Sequence, residues 1–472
     1  MKEWIITIVL FFNYFALSYF LIINCIYIII TILSFSAIKK YMKAQIVVQH
    51  KQLFRTSFYM PISVISPAYN EELTIIQSVK SLLQLHYPEF EIVVVNDGSK
   101  DRTLDVLIKH YRLIKINKEP SSNIPCEPIM SVYYSQDYPN LTVIDKKNGG
   151  KADALNAGIN FAKYPLVAPI DADSLLESKV LLNMVRPFIE DRRTIAVGGI
   201  IRVVNGCKVQ SGEVVDINLP SSFLARFQVV EYLRAFLFGR VGWDAIHSLL
   251  VISGAFGIFK KKAVVECGGY RHDTIGEDME LVVRMHRIYI EKKIPYRITF
   301  LPEPVCWTQV PESTKVLSKQ RRRWQKGLMD SMLFHKKMLF NPKYKSIGLI
   351  AMPFFFFFEM LSPVIELSGY IIFVFSWIFG IINFSFAILF LSASIVLGIV
   401  LSVGSLALEE LSFRRYPKYS HIFNLFIFSV LENFGYRQLH TFWRLQGMIE
   451  YIRGEKKWGE MVRKGFSSSE TQ

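Results

Sequence analysis

The sequence predicts an α/β domain with a mostly parallel sheet, placed between membrane-spanning helices at both ends of the chain. From residue 60 to about residue 310, short β-branched runs alternate with segments of helical periodicity. That order favours parallel strands joined by helices. Uncharged stretches flank this region: Trp4–Ile38 spans 35 positions and Leu367–Leu408 spans 42.

The two uncharged stretches predict three membrane spans, because one span needs about 20 apolar residues. The first stretch contains no clear turn signal, so we expect one tilted span with an interfacial lead-in. The second is long enough for two spans with a turn near Gly380–Asn383. Prolines interrupt Ile347–Glu366, which we interpret as an interfacial or re-entrant helix, and His421–Phe434 is too short to span comfortably.

The basic residues predict the orientation of the chain and its general partners. Lys39, Lys40 and Lys43 follow the first stretch, which places the middle of the chain in the cytoplasm. The net charge of +15 is typical of a protein that contacts anionic membrane lipids. Nucleic acid is not an expected partner, since the sequence has no compact basic module with base-stacking aromatic residues. The five cysteines are scattered without metal-ligand spacing, which predicts reduced thiols.

The middle region divides into four predicted strands followed by polar turns. These strands are Ile62–Ser66, Glu91–Val95, Leu141–Ile144 and Leu166–Ile170. Lys115–Ser131 is expected to be a loop insertion. The resulting domains are a membrane helix and linker at 1–58, a cytoplasmic domain ending in an interfacial helix at 59–335, and a membrane region with a basic cytoplasmic tail at 336–472.

Acidic residues follow two of the predicted strands, where parallel sheets bind ligands beyond the strand ends. Asp97 lies in a turn after the second strand, and Asp171 and Asp173 follow the fourth. In an extended segment, side chains two apart point the same way, so Asp171 and Asp173 can address one cation. Mg²⁺ and Mn²⁺ favour one or two carboxylates together with substrate phosphates. Taken alone, the triplet also fits an ordinary loop.

Three further clusters follow. Gly149 and Gly150 precede a helix start, which favours an anion, and Lys151 adds a positive charge. Gly276–Asp278 supplies carboxylates for a general base, or for capping the next helix. In the segment Gln320–Trp324, the spacing of Gln320, Arg323 and Trp324 places these three residues on one helical face. Arginine there suits a diphosphate and an indole suits a sugar ring, although a basic interfacial helix without chemistry has the same pattern.

In their order and spacing, these clusters together resemble the membrane-embedded family 2 glycosyltransferases, which include processive hyaluronan, cellulose, chitin and poly-N-acetylglucosamine synthases. The motifs cover roughly residues 60–330, and the flanking membrane segments match in layout. Asn96 stands where many members have Asp, and Gly276 stands where Thr or Ser is usual. The resemblance implies a GT-A-type domain, a UDP-sugar donor and Mg²⁺ or Mn²⁺ as cofactor.

The resemblance also implies roles for individual residues. Asp278 matches the catalytic base, and Glu277 beside it is the second residue expected to be catalytic. Asp173 is the expected direct metal ligand, and Asp171 supports the metal and the ribose. The other residues expected to bind the donor are Ala68, Tyr69, Glu72, Asp97, Lys151, Gln320, Arg323 and Trp324.

The activity implied is inverting transfer of N-acetylglucosamine or a hexose to a growing β-linked polysaccharide at the cytoplasmic face of the cell membrane. One alternative is single-sugar transfer to a membrane lipid from the same donor site. Another is a non-catalytic membrane scaffold or transporter, against which the joint presence of the acidic residues and Arg323 argues. Accessory export proteins are further partners that the resemblance leaves open.

Overall fold

The computed structural model describes residues 2–50, 59–172, 174–210, 212–381 and 384–455. They form two compact units. The helical unit contains the described residues before Lys43, Ser221–Ser248, and those from Pro311 onward; the sheet unit contains the described residues of Lys43–Pro220 and Leu249–Val310. The domain boundaries near residues 58 and 335 stay a prediction, because they follow sequence order whereas these units follow packing.

The described residues form the following strands and helices. The strands are β1 Ile62–Ala68, β2 Phe90–Asp97, β3 Leu113–Ile116, β4 Ile129–Ser135, β5 Leu141–Lys146, β6 Leu166–Pro169, β7 Ser174–Leu176, β8 Thr194–Val203, β9 Lys208–Gln210, β10 Glu213–Asp216, β11 Gly257–Lys260 and β12 Arg297–Thr308. The α-helices are α1 Lys2–His50, α2 Ile75–Leu83, α3 Thr103–His110, α4 Lys151–Phe161, α5 Val180–Glu190, α6 Phe223–Tyr232, α7 Val241–Ala245, α8 Lys261–Glu266, α9 Glu277–Glu291, α10 Thr314–Phe334, α11 Ser362–Ile378, α12 Phe384–Leu391, α13 Leu397–Ser412, α14 Tyr419–Leu431 and α15 Tyr436–Ile452.

The main sheet is mixed, so the α/β class is confirmed but the expectation of a mostly parallel sheet is wrong. In the described part of the chain its order is β3-β4-β5-β2-β1-β6-β11-β8-β12-β7. Strands β5, β2, β1 and β6 are parallel to one another, as are β8 and β12. The others pair antiparallel: β11 runs opposite to its neighbours β6 and β8, β4 runs opposite to β3 and β5, and β7 runs opposite to β12. The expected insertion Lys115–Ser131 contributes to an antiparallel pair, β3 and β4, at the edge.

The four predicted strands are confirmed, and they form the parallel core. Their residues are almost all buried, which explains the continuous β-branched runs in place of alternation. The register pairs Ala68 with Asn96 and Asp97 with Lys146 at the carboxyl ends. Since parallel strands end at one edge, the polar turns that follow them meet there.

Two hydrogen bonds from one side chain hold the backbone next to the Gly268–Gly269 turn. The Asn156 amide in α4 accepts from the Tyr270 N–H at 2.7 Å and donates to the Tyr270 carbonyl at 2.9 Å. Both glycines have positive φ, +82° and +76°. A Cβ on Gly269 would lie 2.3 Å from Cγ2 of Ile124 and 2.5 Å from Oδ1 of Asn156.

We therefore expect Gly269→Ala to destabilise the protein by about 3 kcal/mol, through backbone strain and overpacking together. Gly268→Ala is the matched control, because the nearest atom to its Cβ is 3.8 Å away. The Gly268→Ala variant should lose only about 1 kcal/mol of stability, from backbone strain. Thermal unfolding of the detergent-solubilised full chain measures both, and equal losses would contradict the packing argument.

His286 joins α9 to the segment before the Ser253–Phe256 loop. Its Nε2 lies 2.8 Å from the Leu249 carbonyl and its Nδ1 lies 2.7 Å from the Tyr296 hydroxyl. The carbonyl can only accept, so we assign the proton to Nε2. Burial lowers the pKa of His286 from 6.5 to about 4.

The folded state therefore requires neutral His286. Its contribution, about 3 kcal/mol, is complete above pH 6.5, the ordinary pKa, and is lost as the pH falls towards 4. We expect the free energy of unfolding to fall in this range, and His286→Gln to flatten the decline because an amide has no such titration. A variant with the wild-type slope would contradict this assignment.

The first of the three predicted spans lies on one long apolar helix. Within the described residues, Ile6–Lys43 is the one continuous helix long and apolar enough to cross a bilayer. Ile347–Met360 and Ser362–Ile378 meet the same criteria only as a pair bent by 44°. The bend lies next to π-helical turns and Pro363, which are known causes of kinks. The two spans expected within Leu367–Leu408 stay a prediction.

The carboxylates of Glu359 and Glu366 in the helical unit have polar partners. Glu359 accepts a hydrogen bond from Tyr27 at 2.6 Å and lies 3.3 Å from Arg444. Glu366 accepts from the Thr441 hydroxyl at 2.9 Å. Charge in an apolar setting is stabilised by such pairing.

Candidate active site

The turns after β1 and β2 are tied together at the carboxyl edge of the sheet. Asn70, in the left-handed region with φ of 55°, accepts at its side chain from the Lys100 N–H at 2.8 Å. Glu72 accepts from the Arg102 N–H at 3.1 Å. Ala68 ends β1 and is buried, whereas the Tyr69 side chain is exposed. The structure thus brings Ala68, Tyr69 and Glu72 to the turn that follows Asp97.

The Asp97 carboxylate is buried and engaged at both oxygens. Its Oδ1 accepts from Lys146 Nζ at 2.6 Å and from the Gly149 N–H at 3.0 Å. Its Oδ2 accepts from the Gly150 N–H at 2.8 Å and from the Asn148 amide at 3.1 Å. The glycine N–H groups at the start of α4, which the sequence suggested for a bound anion, are occupied here by Asp97.

Lys151, the first residue of α4, lies among three carboxylates. It forms an ion pair with Asp171, and its Nζ lies 3.7 Å from Oε1 of Glu277. It also donates to the Gly254 carbonyl at 3.3 Å. Burial lowers the pKa of Lys151, but Asp171, Glu277 and Asp278 together raise it above its ordinary value. The ammonium group therefore stays charged at neutral pH.

The loop Ser253–Phe256 joins Asp171 to Asp278. The Asp171 N–H donates to the Ala255 carbonyl at 3.3 Å, and the Gly254 N–H donates to Oδ2 of Asp278 at 2.9 Å. Asp278 lies in the first turn of α9, where the helix dipole stabilises a carboxylate. Gly276 precedes this helix without a side-chain cap, which is the local consequence of the unusual glycine noted in the sequence.

These groups surround one cavity. Its lining includes Lys151, Ile252, Gly254, Tyr270, Glu277 and Asp278. Burial, with Asp278, Glu277 and Asp171, raises the pKa of the Tyr270 phenol far above 10. The cavity thus combines a neutral hydroxyl, one ammonium group and carboxylates, which suits a polar substrate.

The charge of this cluster fits a divalent cation. Asp171, Glu277 and Asp278 place three carboxylates around the ammonium group of Lys151, and carboxylates are ligands that Mg²⁺ and Mn²⁺ favour. Among the described residues, no set of three acidic, histidine or cysteine side chains forms a metal site. Asp171 is a carboxylate of the kind that can hold a divalent cation together with substrate phosphates. Asp173, the expected direct ligand, lies outside the described residues.

The helix predicted for the Gln320–Trp324 cluster is α10, in the helical unit. Its Ser313 cap accepts from the Val316 N–H at 3.4 Å. Trp324 is 43% exposed, and the Arg321 guanidinium lies 4.1 Å from the centroid of its ring. Gln320, Arg323 and Trp324 have the predicted helical spacing, and their roles in donor binding stay predictions.

Two residues of the sheet-edge network received no role from the sequence. Lys146 ends β5 with no exposed side-chain area, and it forms ion pairs with Asp97 and Asp153. A lysine two positions after the apolar run Leu141–Ile144 was the available signal. Asp153 resembled an ordinary acid in the first turn of a helix.

Two protein families match parts of the chain. Residues 166–401 match the family described as Glycosyl transferase family group 2. Residues 63–124 match Glycosyl transferase family 2. The two matches cover β1, β2 and β6 of the parallel core and include Asp171, Glu277, Asp278 and the α10 cluster, whereas β5 and Lys151 lie outside them.

The chain is also similar to curated proteins. A poly-β-1,6-N-acetyl-D-glucosamine synthase from Staphylococcus epidermidis is 29% identical over 266 residues, covering 56% of this chain and 54% of the relative. The enzyme of that name from Staphylococcus aureus strain COL is 31% identical over 267 residues, with the same coverage. The chain thus spans about half the length of the curated relatives it matches.

Two solved structures are similar at low identity. A mannosyltransferase from Pyrobaculum calidifontis, in complex with GDP-Man and Mn²⁺, has a TM-score of 0.49 at 16% identity and covers 92% of this chain and 99% of its own. TarS 1–349 of S. aureus, in complex with UDP-GlcNAc, has a TM-score of 0.38 at 17% identity and covers 80% and 92%. The family matches establish that this chain belongs to the family 2 glycosyltransferases.

Proposed function

We propose that this protein is an inverting glycosyltransferase with a GT-A-type domain, which extends a β-linked polysaccharide from a UDP-sugar at the cytoplasmic face of the membrane. The observation that carries the proposal is the position of Lys151, which lines the cavity with Glu277 and Asp278 and forms an ion pair with Asp171. A positive charge at a leaving diphosphate and a carboxylate at an attacking hydroxyl are the two requirements of direct sugar transfer. The names of the relatives favour UDP-N-acetylglucosamine as donor and a polymer as acceptor.

Individual residues of the chain have separate roles in this transfer. Asp278 accepts the proton of the acceptor hydroxyl, whose oxygen attacks the anomeric carbon from the face opposite the leaving group. The bond between that carbon and the diphosphate oxygen breaks, and UDP departs. The Gly254 N–H holds Oδ2 of Asp278 at 2.9 Å, which fixes the carboxylate for this step.

Lys151 faces the negative charge that develops on the diphosphate. Mg²⁺ or Mn²⁺, held by Asp171 and Asp173, would offset the same charge when bound. Gln320, Arg323 and Trp324 are proposed to contact the donor. Ala68, Tyr69, Glu72 and Asp97 are proposed to form the nucleotide end of the site.

Membrane attachment completes the proposal. Ile6–Lys43 is long and apolar enough to anchor the chain, and the lysines at its end favour a cytoplasmic catalytic domain. Later helices would complete a multi-pass arrangement through which the polymer leaves.

The decisive experiment incubates membranes containing the full chain with labelled UDP-sugars and Mg²⁺ or Mn²⁺, and sizes the products by gel filtration. High-molecular-weight product from one donor is the expected result. Label confined to the lipid fraction would instead establish single transfer to a lipid. Tight UDP binding without incorporation from any donor would support the non-catalytic scaffold.

A further inference from the structure

The Lys146 ammonium group is completely enclosed at the carboxyl edge of the sheet. Its side chain has no exposed area, and the carboxylates of Asp97 and Asp153 are 4% and 5% exposed. Nζ contacts Asp97 Oδ1 at 2.6 Å, Asp153 Oδ1 at 2.5 Å and the Lys147 carbonyl at 2.5 Å. An ammonium group has three donors, so each hydrogen of Lys146 is used.

The contacts join three separate parts of the sheet unit. Asp97 ends β2, Lys146 ends β5 beside it in the parallel register, and Asp153 lies in the first turn of α4. Lys146 therefore sets the position of the helix start relative to the strand ends. Lys151 is the first residue of that helix and supplies the positive charge of the cavity.

Asp97 transmits the same constraint to the glycine loop. Its two oxygens accept from the N–H groups of Gly149 and Gly150, and its carbonyl accepts from the Asn148 amide at 2.6 Å. These three residues immediately precede Lys151. Without a cation between them, Asp97 and Asp153 would be two buried like charges, which must separate or take up a proton.

Asp153 is held from a second side. Its Oδ2 accepts from the Glu127 N–H at 2.9 Å, within the connection between β3 and β4. Because the Glu127 N–H also holds Asp153, this carboxylate cannot move together with Lys146. The distance between the strand ends and the start of α4 therefore depends on Lys146 itself.

We propose that Lys146 is a positioning residue of the donor site, which sets the Asn148–Lys151 loop by bridging Asp97 and Asp153. This inference rests on the proposed function, since it assigns the loop to the sugar-nucleotide. Lys146 touches no substrate. Its effect reaches the donor through the placement of Lys151 and Asp97.

The test measures donor KM and kcat separately for Lys146→Met in the full chain, together with UDP affinity by titration calorimetry. A displaced loop should raise donor KM and the UDP dissociation constant by about tenfold to a hundredfold, and kcat should fall as well because Lys151 is displaced from the leaving diphosphate. Lys115→Met, an exposed lysine on β3, is the matched control and should leave all three values unchanged.

A second variant guards against misfolding. Lys146→Met with Asp153→Asn removes one charge of each sign, and Asp97 keeps its bonds from Asn148, Gly149 and Gly150. We expect this pair to fold with the raised donor KM. A folded double variant with wild-type donor KM and UDP affinity would overturn the assignment. Loss of folding in both variants would also overturn it, because Lys146 would then have a structural role alone.

Failure of the proposed function gives a different result. An inactive wild-type chain that binds UDP defeats the transferase proposal, yet its UDP affinity still decides whether Lys146 sets the site. An active wild type with unaffected variants defeats the Lys146 proposal alone. A wild type with neither activity nor UDP affinity defeats both.

Discussion

Asp278→Asn is expected to lower kcat by about a thousandfold, because an amide cannot take the proton of the attacking hydroxyl. The substitution preserves size, and the Oδ2 position, now the amide oxygen, can still accept from the Gly254 N–H. The UDP dissociation constant should therefore change by less than about threefold, since the loss is confined to the reacting atoms. Initial rates with a saturating donor, beside UDP titration, measure the two effects separately.

The matched control is Asp105→Asn, the same change at an exposed position in the first turn of α3. It should leave both kcat and UDP affinity at wild-type values. An Asp278→Asn enzyme with more than a tenth of wild-type kcat would show that another group acts as the base. Equal loss of UDP affinity and kcat would instead place Asp278 in donor binding.

Lys151→Met is expected to lower kcat/KM by about a hundredfold or more, because a fixed positive charge no longer faces the leaving diphosphate. The substitution also leaves Asp171, Glu277 and Asp278 without their shared ammonium partner. The cluster becomes more negative, so a divalent cation should bind it more tightly. We therefore expect the half-saturating Mn²⁺ concentration to fall while the rate also falls.

The combination of a lower half-saturating Mn²⁺ concentration with a lower rate makes the test specific. Rates across a Mn²⁺ series, with Lys109→Met on the exposed face of α3 as the control, provide the measurement. A half-saturating Mn²⁺ concentration that rises in Lys151→Met would mean that the cation and the lysine support each other. That result would contradict the charge argument for the cavity.

Several features of the candidate site could be predicted from local sequence. Runs of β-branched residues identified the four core strands, because strands buried on both faces need apolar residues at successive positions. Asp97 and Asp171 could be placed at the carboxyl edge, since parallel strands end there. The spacing of Gln320, Arg323 and Trp324 predicted one helical face, and α10 supplies that helix.

Other features required contacts between residues far apart in the chain. The direction of β11 between β6 and β8 was not readable from Gly257–Lys260, because a short apolar strand fits either direction. The use of the glycine N–H groups by Asp97 depends on a separation of 52 and 53 positions. A glycine turn before a helix looks the same whether its anion is a substrate or a neighbouring carboxylate.

Local sequence was enough to identify the chemical groups, the four core strands, helix α10 and the family resemblance. The tertiary structure decided which groups meet: Lys151 with Asp171 and Glu277, the Gly254 N–H with Asp278, and Lys146 between two buried acids. The physical reason is that backbone propensity and side-chain chemistry act over a few residues. Charge pairing in a buried site depends on strand order, register and the path of the loops, which pack residues more than a hundred positions apart.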